Sequence, residues 1–296
     1  MRTALTSPVA YALFVLPTIL LYGLFFLYPM LSSSFYAFTD WNGLDDYRFV
    51  GFDNFLRALQ DERFHKAILN NLAFIGFSVF VQIPVIVLMA MLISSVKRLQ
   101  RFYKTAVFVP SILSTSVIGI LWGFLYEPEM GPVNRLLGVF GIEPIYWLAD
   151  PRWALLAVLI TNAWQWMGFY IVLILAAILA VPRHLHEAAA IDGAGGLRRA
   201  VSITLPLIRP VISVVVLLSI AGAMRVVDIV LVMTKGGPVG ATEVMASYLV
   251  NRALGVDPNY GLGTAISLII FAFALLLTSL YQLAFGHNRD EGIEYA

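Results

Sequence analysis

Long runs of apolar residues, separated by shorter polar stretches, are the main pattern along this chain. A bilayer core about 30 Å thick needs roughly 20 predominantly apolar residues to be crossed by a helix. Six stretches reach that length, at 9–38, 68–95, 105–126, 153–181, 210–233 and 263–285. An isolated strand in lipid would leave its backbone polar groups unpaired. The pattern therefore predicts an all-α integral membrane protein with six transmembrane helices, forming a single domain over residues 1–296.

The composition supports a membrane protein and excludes several other classes. Hydrophobic residues make up 60% of the 296 residues and charged residues 12%, whereas a soluble domain carries about 25% charged residues. The net charge of +1 argues against a nucleic-acid binder, which needs a basic face. The chain has no cysteine, which excludes disulfides and thiol catalysis. His184 and His186 have no cluster of acids beside them, so no metal site is expected.

The positions of the few charges predict the orientation. Loop 96–104 carries Lys97, Arg98, Arg101 and Lys104 and no acid, which is typical of a cytoplasmic loop. Alternation of the spans then places both termini and loop 182–209 in the cytoplasm. Segments 39–67, 127–152 and 234–262 lie outside, and there acids outnumber bases.

Loop 182–209 is much longer than a simple connection between two spans requires. It opens with good helix formers at 185–191, followed by glycines at 193, 195 and 196 and a second short amphipathic run that ends before Pro206. This order predicts a helix, a sharp turn and a second helix. An amphipathic helix lying on the membrane is the alternative, but such helices need large apolar residues. Ala188, Ala189 and Ala190 instead suit close approach by another protein.

The same loop resembles the EAA motif of ABC importer permeases that depend on a solute-binding protein. The motif is carried by Glu187-Ala188-Ala189, Asp192-Gly193-Ala194 and Leu205-Pro206. Segments elsewhere are similar to the carbohydrate-uptake branch of these permeases, including Gly131-Pro132-Val133-Asn134 and Thr234-Lys235-Gly236-Gly237-Pro238. Leu197 and Ala200 depart from the family, which often has aromatic residues at these two positions.

The resemblance implies a type I ABC importer permease fold in a prokaryotic inner or plasma membrane. It implies a second permease subunit that completes a heterodimer, two ATPase subunits that bind the EAA loops, and an extracytoplasmic binding protein that delivers a sugar. The chain contains no GxxxxGK[ST] phosphate loop. ATP and Mg²⁺ are therefore expected on the partner ATPase, with no cofactor in this chain.

Polar residues inside the spans indicate a candidate substrate path. Asn162, Gln165, Trp166 and Phe169 follow the spacing i, i+3, i+4, i+7 and are predicted to share one helix face. Two amides beside an indole ring suit the hydroxyl groups and C–H face of a neutral sugar. Hydrogen bonding between helices that holds the bundle together is the other interpretation.

Arg225 and Asp228 lie three residues apart in the fifth predicted span and are expected to form an ion pair along one helix face. The pair either faces the partner subunit or forms a gate that breaks during transport. An ion-coupled secondary transporter is the alternative function, but such transporters use inverted repeats and buried carboxylates, and only Asp228 is available here. A membrane-embedded enzyme would need paired acids or a histidine cluster, which the sequence lacks.

Overall fold

The described part of the chain is almost entirely helical. A computed structural model describes residues 8–44, 46–96, 98–255 and 258–285, in which the sole bridge between extended segments joins Thr39 and Phe49. Five of these helices are long and apolar enough to cross a membrane, or six if one bent helix pair counts as a single span. The predicted all-α membrane fold is confirmed.

The chain folds into two compact units. The first comprises Met1–Asp61 and Leu249–Phe271, and the second comprises Glu62–Tyr248 and Ala272–Ala296. Helices α14 (Met245–Leu254) and α15 (Tyr260–Phe285) contribute residues to both units.

The first unit contains a long apolar helix and a compact polar connection. The long helix comprises α1 (Pro8–Tyr22) and α2 (Tyr28–Tyr36), and α3 (Asp53–Gln60) lies in the connection that follows. Residues 12–36 bury none of their most apolar window within the chain, as expected of a helix surrounded by lipid or by another subunit. Asn54 is 1% exposed and donates from Nδ2 to the carbonyl oxygens of Ala37 and Thr39, which holds α3 against the preceding loop.

The second unit holds the apolar core. Its helices are α4 (Glu62–Phe77), α5 (Ile83–Ser95), α6 (Gln100–Ile112), α7 (Thr115–Leu125), α8 (Pro132–Val139), α9 (Pro151–Ala180), α10 (Arg183–Ile191), α11 (Gly196–Arg199), α12 (Leu205–Arg225) and α13 (Asp228–Met233). Branched side chains of α5, α9 and α12 interlock at its centre, among them Ile86, Ile174 and Val215. Asp150 begins α9 by accepting from the backbone N–H of Arg152. Hydrogen bonds from the Arg152 side chain and backbone lower the pKa of this carboxyl.

Short π-helical turns let several helices continue past a proline. Within the described residues, such turns at Gly23–Leu27, Ser78–Gln82 and Ala200–Thr204 end two residues before Pro29, Pro84 and Pro206. Proline lacks an N–H, and its ring clashes with the carbonyl four residues earlier. The wider turn changes this bonding: the Leu205 N–H, for example, donates to Ala200, five residues back. Residues 62–95 and 196–225 are thereby continuous helices of 34 and 30 residues.

This continuity corrects the predicted boundaries of the fifth span. The sequence predicts a span at 210–233 that is separate from the second short helix of loop 182–209. In the structure α11 runs without interruption into α12, and the helix ends at Arg225. The early end has a backbone cause, because Val226 is extended at ψ 117° and Val227 has φ −144°.

The third predicted span, 105–126, is also broken. Helices α6 and α7 meet at a bend of 100°, where Leu113 and Ser114 are extended. Along the pair, later residues nevertheless contact steadily earlier residues of α9. Val107 lies against Gly168, Leu113 against Gln165, and Tyr126 against Ala157. This order favours a broken span that crosses the membrane over a loop that re-enters it.

Candidate substrate cavity and coupling turn

A cavity of about 290 Å³ lies inside the second unit, where several helices bend or end. Ligand pockets usually measure about 300–1,000 Å³, so this volume is just below the lower limit of that range. Its lining combines aromatic rings with hydroxyl, amide and charged groups. The polar lining residues are Ser78, Gln82, Thr115, Asn162, Ser219, Arg225 and Asp228, and the aromatic ones are Phe74, Phe77, Trp166 and Tyr170.

The break between α12 and α13 forms one wall of the cavity, and a buried amide supports it. Asn71 is fully buried, donates from Nδ2 to the Ala223 carbonyl at 2.6 Å and accepts from the Met245 N–H at 2.8 Å. The last carbonyls of a helix have no partner inside that helix. Asn71 supplies one of the missing partners and ties the end of α12 to the start of α14.

The polar groups of the lining differ in whether they are free to bind a ligand. Ser78 donates to Gln82 at 2.6 Å, and Gln82 donates to the Ala163 carbonyl at 3.1 Å, so these two side chains hold the fold together. The Ser219 hydroxyl oxygen is buried and lies near the Tyr170 hydroxyl, but it forms no well-aligned hydrogen bond with the described residues. A buried hydroxyl in this position can also hydrogen-bond to a ligand that enters the cavity.

The four residues of the predicted substrate path separate into two groups. Asn162 and Trp166 line the cavity, and Gln165 and Phe169 do not. Gln165 is 1% exposed, and its Nε2 donates to the Leu113 carbonyl at 3.3 Å and to Thr115 Oγ1 at 3.1 Å. It therefore ties α9 to the bend between α6 and α7, which matches the alternative interpretation of hydrogen bonding between helices.

Arg225 and Asp228 both line the cavity, but the predicted ion pair between them is not formed in the described part of the chain. The i, i+3 spacing brings two side chains together only on a continuous helix. Here α12 ends at Arg225 and α13 begins at Asp228, and the non-helical residues Val226 and Val227 lie between them. The expectation was wrong because the sequence alone did not reveal this break.

The turn between α10 and α11, which we call the coupling turn (residues 192–195), has a defined backbone geometry. Gly193 has φ +78°, its N–H donates to the Ala190 carbonyl, and the Ala194 N–H donates to the Ala189 carbonyl. These are the two hydrogen bonds of a Schellman motif, which ends a helix with a left-handed residue. The predicted order of helix, sharp turn and helix is present.

Most of the EAA motif is accessible in this chain. Glu187, Ala188, Ala190, Asp192 and Gly193 are exposed, and Ala189 and Ala194 are half-buried. Leu205 and Pro206 lie at the start of α12, beyond the coupling turn.

Leu197 and Ala200, the two positions at which this chain departs from the family's aromatic residues, differ in exposure. Leu197 is 82% exposed, and Ala200 is half-buried.

Sequence reasoning missed several contributors to the cavity. Ser219 is a single hydroxyl in a strongly apolar helix, and nothing in the residue pattern around it distinguishes it. Ser78 and Gln82, four residues apart, carried a usable signal, since polar residues at that spacing share a helix face. The described residues contain no group of three or more metal-ligating side chains.

Comparison with known proteins adds the following similarities. Residues 55–285 match the family described as binding-protein-dependent transport system inner membrane component. The trehalose/maltose transport system permease protein MalF of Thermococcus litoralis is 31% identical over 280 residues, covering 94% of each protein. The diacetylchitobiose uptake system permease protein NgcF of Streptomyces coelicolor is 33% identical over 286 residues, covering 92% of this chain and 80% of the relative.

A solved structure is similar as well. It is a bacterial alginate ABC transporter in complex with a periplasmic protein that holds an alginate pentasaccharide. One of its chains superposes with a TM-score of 0.81 at 26% identity, covering 96% of this chain and 95% of that chain.

Proposed function

Because the chain belongs to the family of binding-protein-dependent transport system inner membrane components, we propose that it is a permease subunit of an ATP-driven importer for a sugar or oligosaccharide. The two relatives and the solved transporter described above act on saccharides by name. The single observation in this chain that carries the proposal is the cavity beside the α12–α13 break. Its aromatic and hydrogen-bonding lining suits a saccharide, whose hydroxyls bond to polar groups while its C–H face packs on rings.

Within the cavity we assign substrate contact to the polar groups that the fold does not already use. Asn162 forms no hydrogen bond with the described part of the chain, and the Ser219 hydroxyl has only the nearby Tyr170 hydroxyl, with no well-aligned bond. Trp166 supplies a ring surface one helical turn from Asn162. Arg225 and Asp228 add one positive and one negative charge to the lining at the α12–α13 break.

Energy for transport comes, in this proposal, from two copies of a separate ATPase that bind ATP and Mg²⁺. They dock on the exposed EAA residues of α10 and on the coupling turn. The helix from Gly196 to Arg225 has 30 residues, which is about 45 Å at about 1.5 Å per residue. It joins the coupling turn to the cavity wall, so a displacement at the turn reaches the cavity through one rigid element.

The remaining partners follow from the same assignment. A second permease subunit completes the pathway as a heterodimer, and a solute-binding protein delivers the saccharide from outside the inner membrane. The helix over residues 12–36, whose most apolar window is not buried within the chain, is available for contact with lipid or with the second subunit.

Uptake by the assembled transporter in proteoliposomes, with ATP inside, tests the proposal. We expect Asn162→Ala to raise the KM for the transported saccharide about two- to tenfold, because one hydrogen bond is worth about 0.5–1.5 kcal/mol. Leu179→Ala is the matched control on the same helix, since Leu179 is 59% exposed and does not line the cavity.

Two results would contradict the proposal. Uptake that follows a proton gradient and ignores ATP would favour the ion-coupled alternative. An unchanged KM in Asn162→Ala would remove this cavity from the substrate path.

A further inference from the structure

The connection between α7 and α9 is a folded element with an apolar surface that the transport function does not explain. It contains α8 and the residue that follows it, Phe140. Leu136, Val139 and Phe140 follow the spacing i, i+3, i+4 and so share one face. These three side chains are 64%, 80% and 75% exposed. Large apolar residues grouped on one surface indicate contact with a membrane or with another protein.

A single buried side chain fixes the shape of this connection. Asn134 is 5% exposed, and its Nδ2 donates to the carbonyls of Pro128 and Ile145. Its Oδ1 accepts from the Ile145 N–H at 3.2 Å and from Trp147 Nε1 at 2.9 Å. The amide thus uses both its donor and its acceptor capacity to hold the two ends of the connection together.

Trp147 sets the position of α8 relative to the adjoining helices. Its ring centroid lies 5.4 Å from that of Tyr126, at the end of α7, and 5.7 Å from that of Trp153, in the first turn of α9. Because Trp147 also donates to Asn134, α8 is held at the level where α7 ends and α9 begins. Those ends are where spans leave the hydrocarbon, and aromatic residues concentrate at this depth.

The backbone of α8 and one basic residue beside its apolar face fit the same location. Gly141 (φ +74°) closes the helix through the hydrogen bonds from Gly141 N–H to Gly138 and from Ile142 N–H to Leu137, which again is a Schellman motif. Phe140 is thereby held at the end of the exposed face. Arg135 is exposed beside that face, and a basic residue in this position can extend to lipid phosphates.

We propose that the face of α8 formed by Leu136, Val139 and Phe140 inserts into the headgroup region of the adjacent leaflet, which is the outer leaflet by the charge pattern. Lipid, and not a protein partner, is the occupant, because Trp147 holds α8 at the level of the span ends, where three large apolar side chains are exposed and Arg135 beside them can reach lipid phosphates. The element anchors the third and fourth spans at a fixed depth. Amphipathic helices of this kind bury their apolar face about 5–10 Å into the boundary.

The absence of cysteine from the chain makes site-specific labelling a direct test. Val139→Cys and Phe140→Cys, each labelled with NBD, are reconstituted as the assembled transporter in vesicles of phosphatidylethanolamine and phosphatidylglycerol. We expect blue-shifted emission and quenching about twofold stronger by a nitroxide lipid labelled near the headgroup than by iodide in the water. Gly138→Cys is the matched control on the face of Asn134, because a side chain there meets nothing within 4 Å. Its label should respond mainly to iodide.

Two outcomes would overturn the proposal. Equal iodide quenching at positions 138, 139 and 140 would place the face in water. Labels at 139 and 140 that are shielded from both quenchers would show that protein covers the face, and protection that appears only when the solute-binding protein is added would identify that protein as the occupant. Elution of each labelled variant with unlabelled transporter on size exclusion guards against misfolding as a cause.

Discussion

The coupling turn and the cavity occupy opposite ends of the helix from Gly196 to Arg225, and they are built on different principles. The turn is local: its hydrogen bonds join residues five or fewer apart, and most of its residues are exposed. The cavity is assembled from α4, α7, α9, α12 and α13, and its shape depends on two helix breaks. A motif in the sequence therefore describes the first region almost completely and the second hardly at all.

Two glycines illustrate the difference between the two regions, because each position requires glycine for a different physical reason. Gly168, in α9, is required by space, because a Cβ there would overlap the Val107 carbonyl of α6. Gly193, in the coupling turn, is required by its φ of +78°, and a Cβ there would meet nothing within 4 Å. Packing between helices governs the cavity region, and the preferences of a single residue govern the turn.

Gly168→Ala should give the largest effect. The atoms that it meets belong to the backbone of α6 and cannot rotate away, so we expect a loss of about 3 kcal/mol or more in the free energy of unfolding. Folded protein recovered in detergent and its Tm measure this loss. Gly123→Ala is the control in a neighbouring helix, because its added Cβ meets nothing within 4 Å. Equal Tm values for the two variants would contradict the close approach of α6 and α9.

The difference between the regions also explains which features the sequence could predict. Apolar runs located most spans because hydropathy reports the composition of a segment. Hydropathy does not reveal whether a helix is continuous. Val226 and Val227 are apolar and were therefore predicted to be helical, although they interrupt the helix. The turn was predictable because glycine at a left-handed position is a property of one residue.

The cavity shows the limit of periodicity within a single helix. Asn162 and Gln165 were assigned to one face, yet only Asn162 lines the cavity. The bend between α6 and α7 packs against Gln165, and no pattern in α9 encodes the position of a neighbouring helix. Ser219 likewise lines the cavity only because of the helices packed around it.

Gly193→Ala should act on coupling with only a moderate effect on stability. A left-handed conformation costs a residue with a Cβ about 1–2 kcal/mol, so the turn should shift in favour of other geometries. We expect ATP hydrolysis to continue while uptake per ATP falls. Asn tolerates the left-handed region, so Gly193→Asn should restore most of the coupling. Equal coupling ratios in wild type, Ala and Asn variants would separate this turn from energy transfer.

Gln165→Ala should give the smallest effect, and it separates a structural amide from a substrate-binding one within the cavity region. It removes two hydrogen bonds from α9 to the α6–α7 bend, at 3.3 and 3.1 Å. Such bonds between helices in membranes average about 0.6 kcal/mol each, so we expect a loss of about 1 kcal/mol in the free energy of unfolding. The KM for the saccharide should stay near the wild-type value, in contrast to the increase expected for Asn162→Ala. If Gln165→Ala raised the KM with an unchanged Tm, Gln165 would belong to the substrate path, and the division of this helix face proposed here would be wrong.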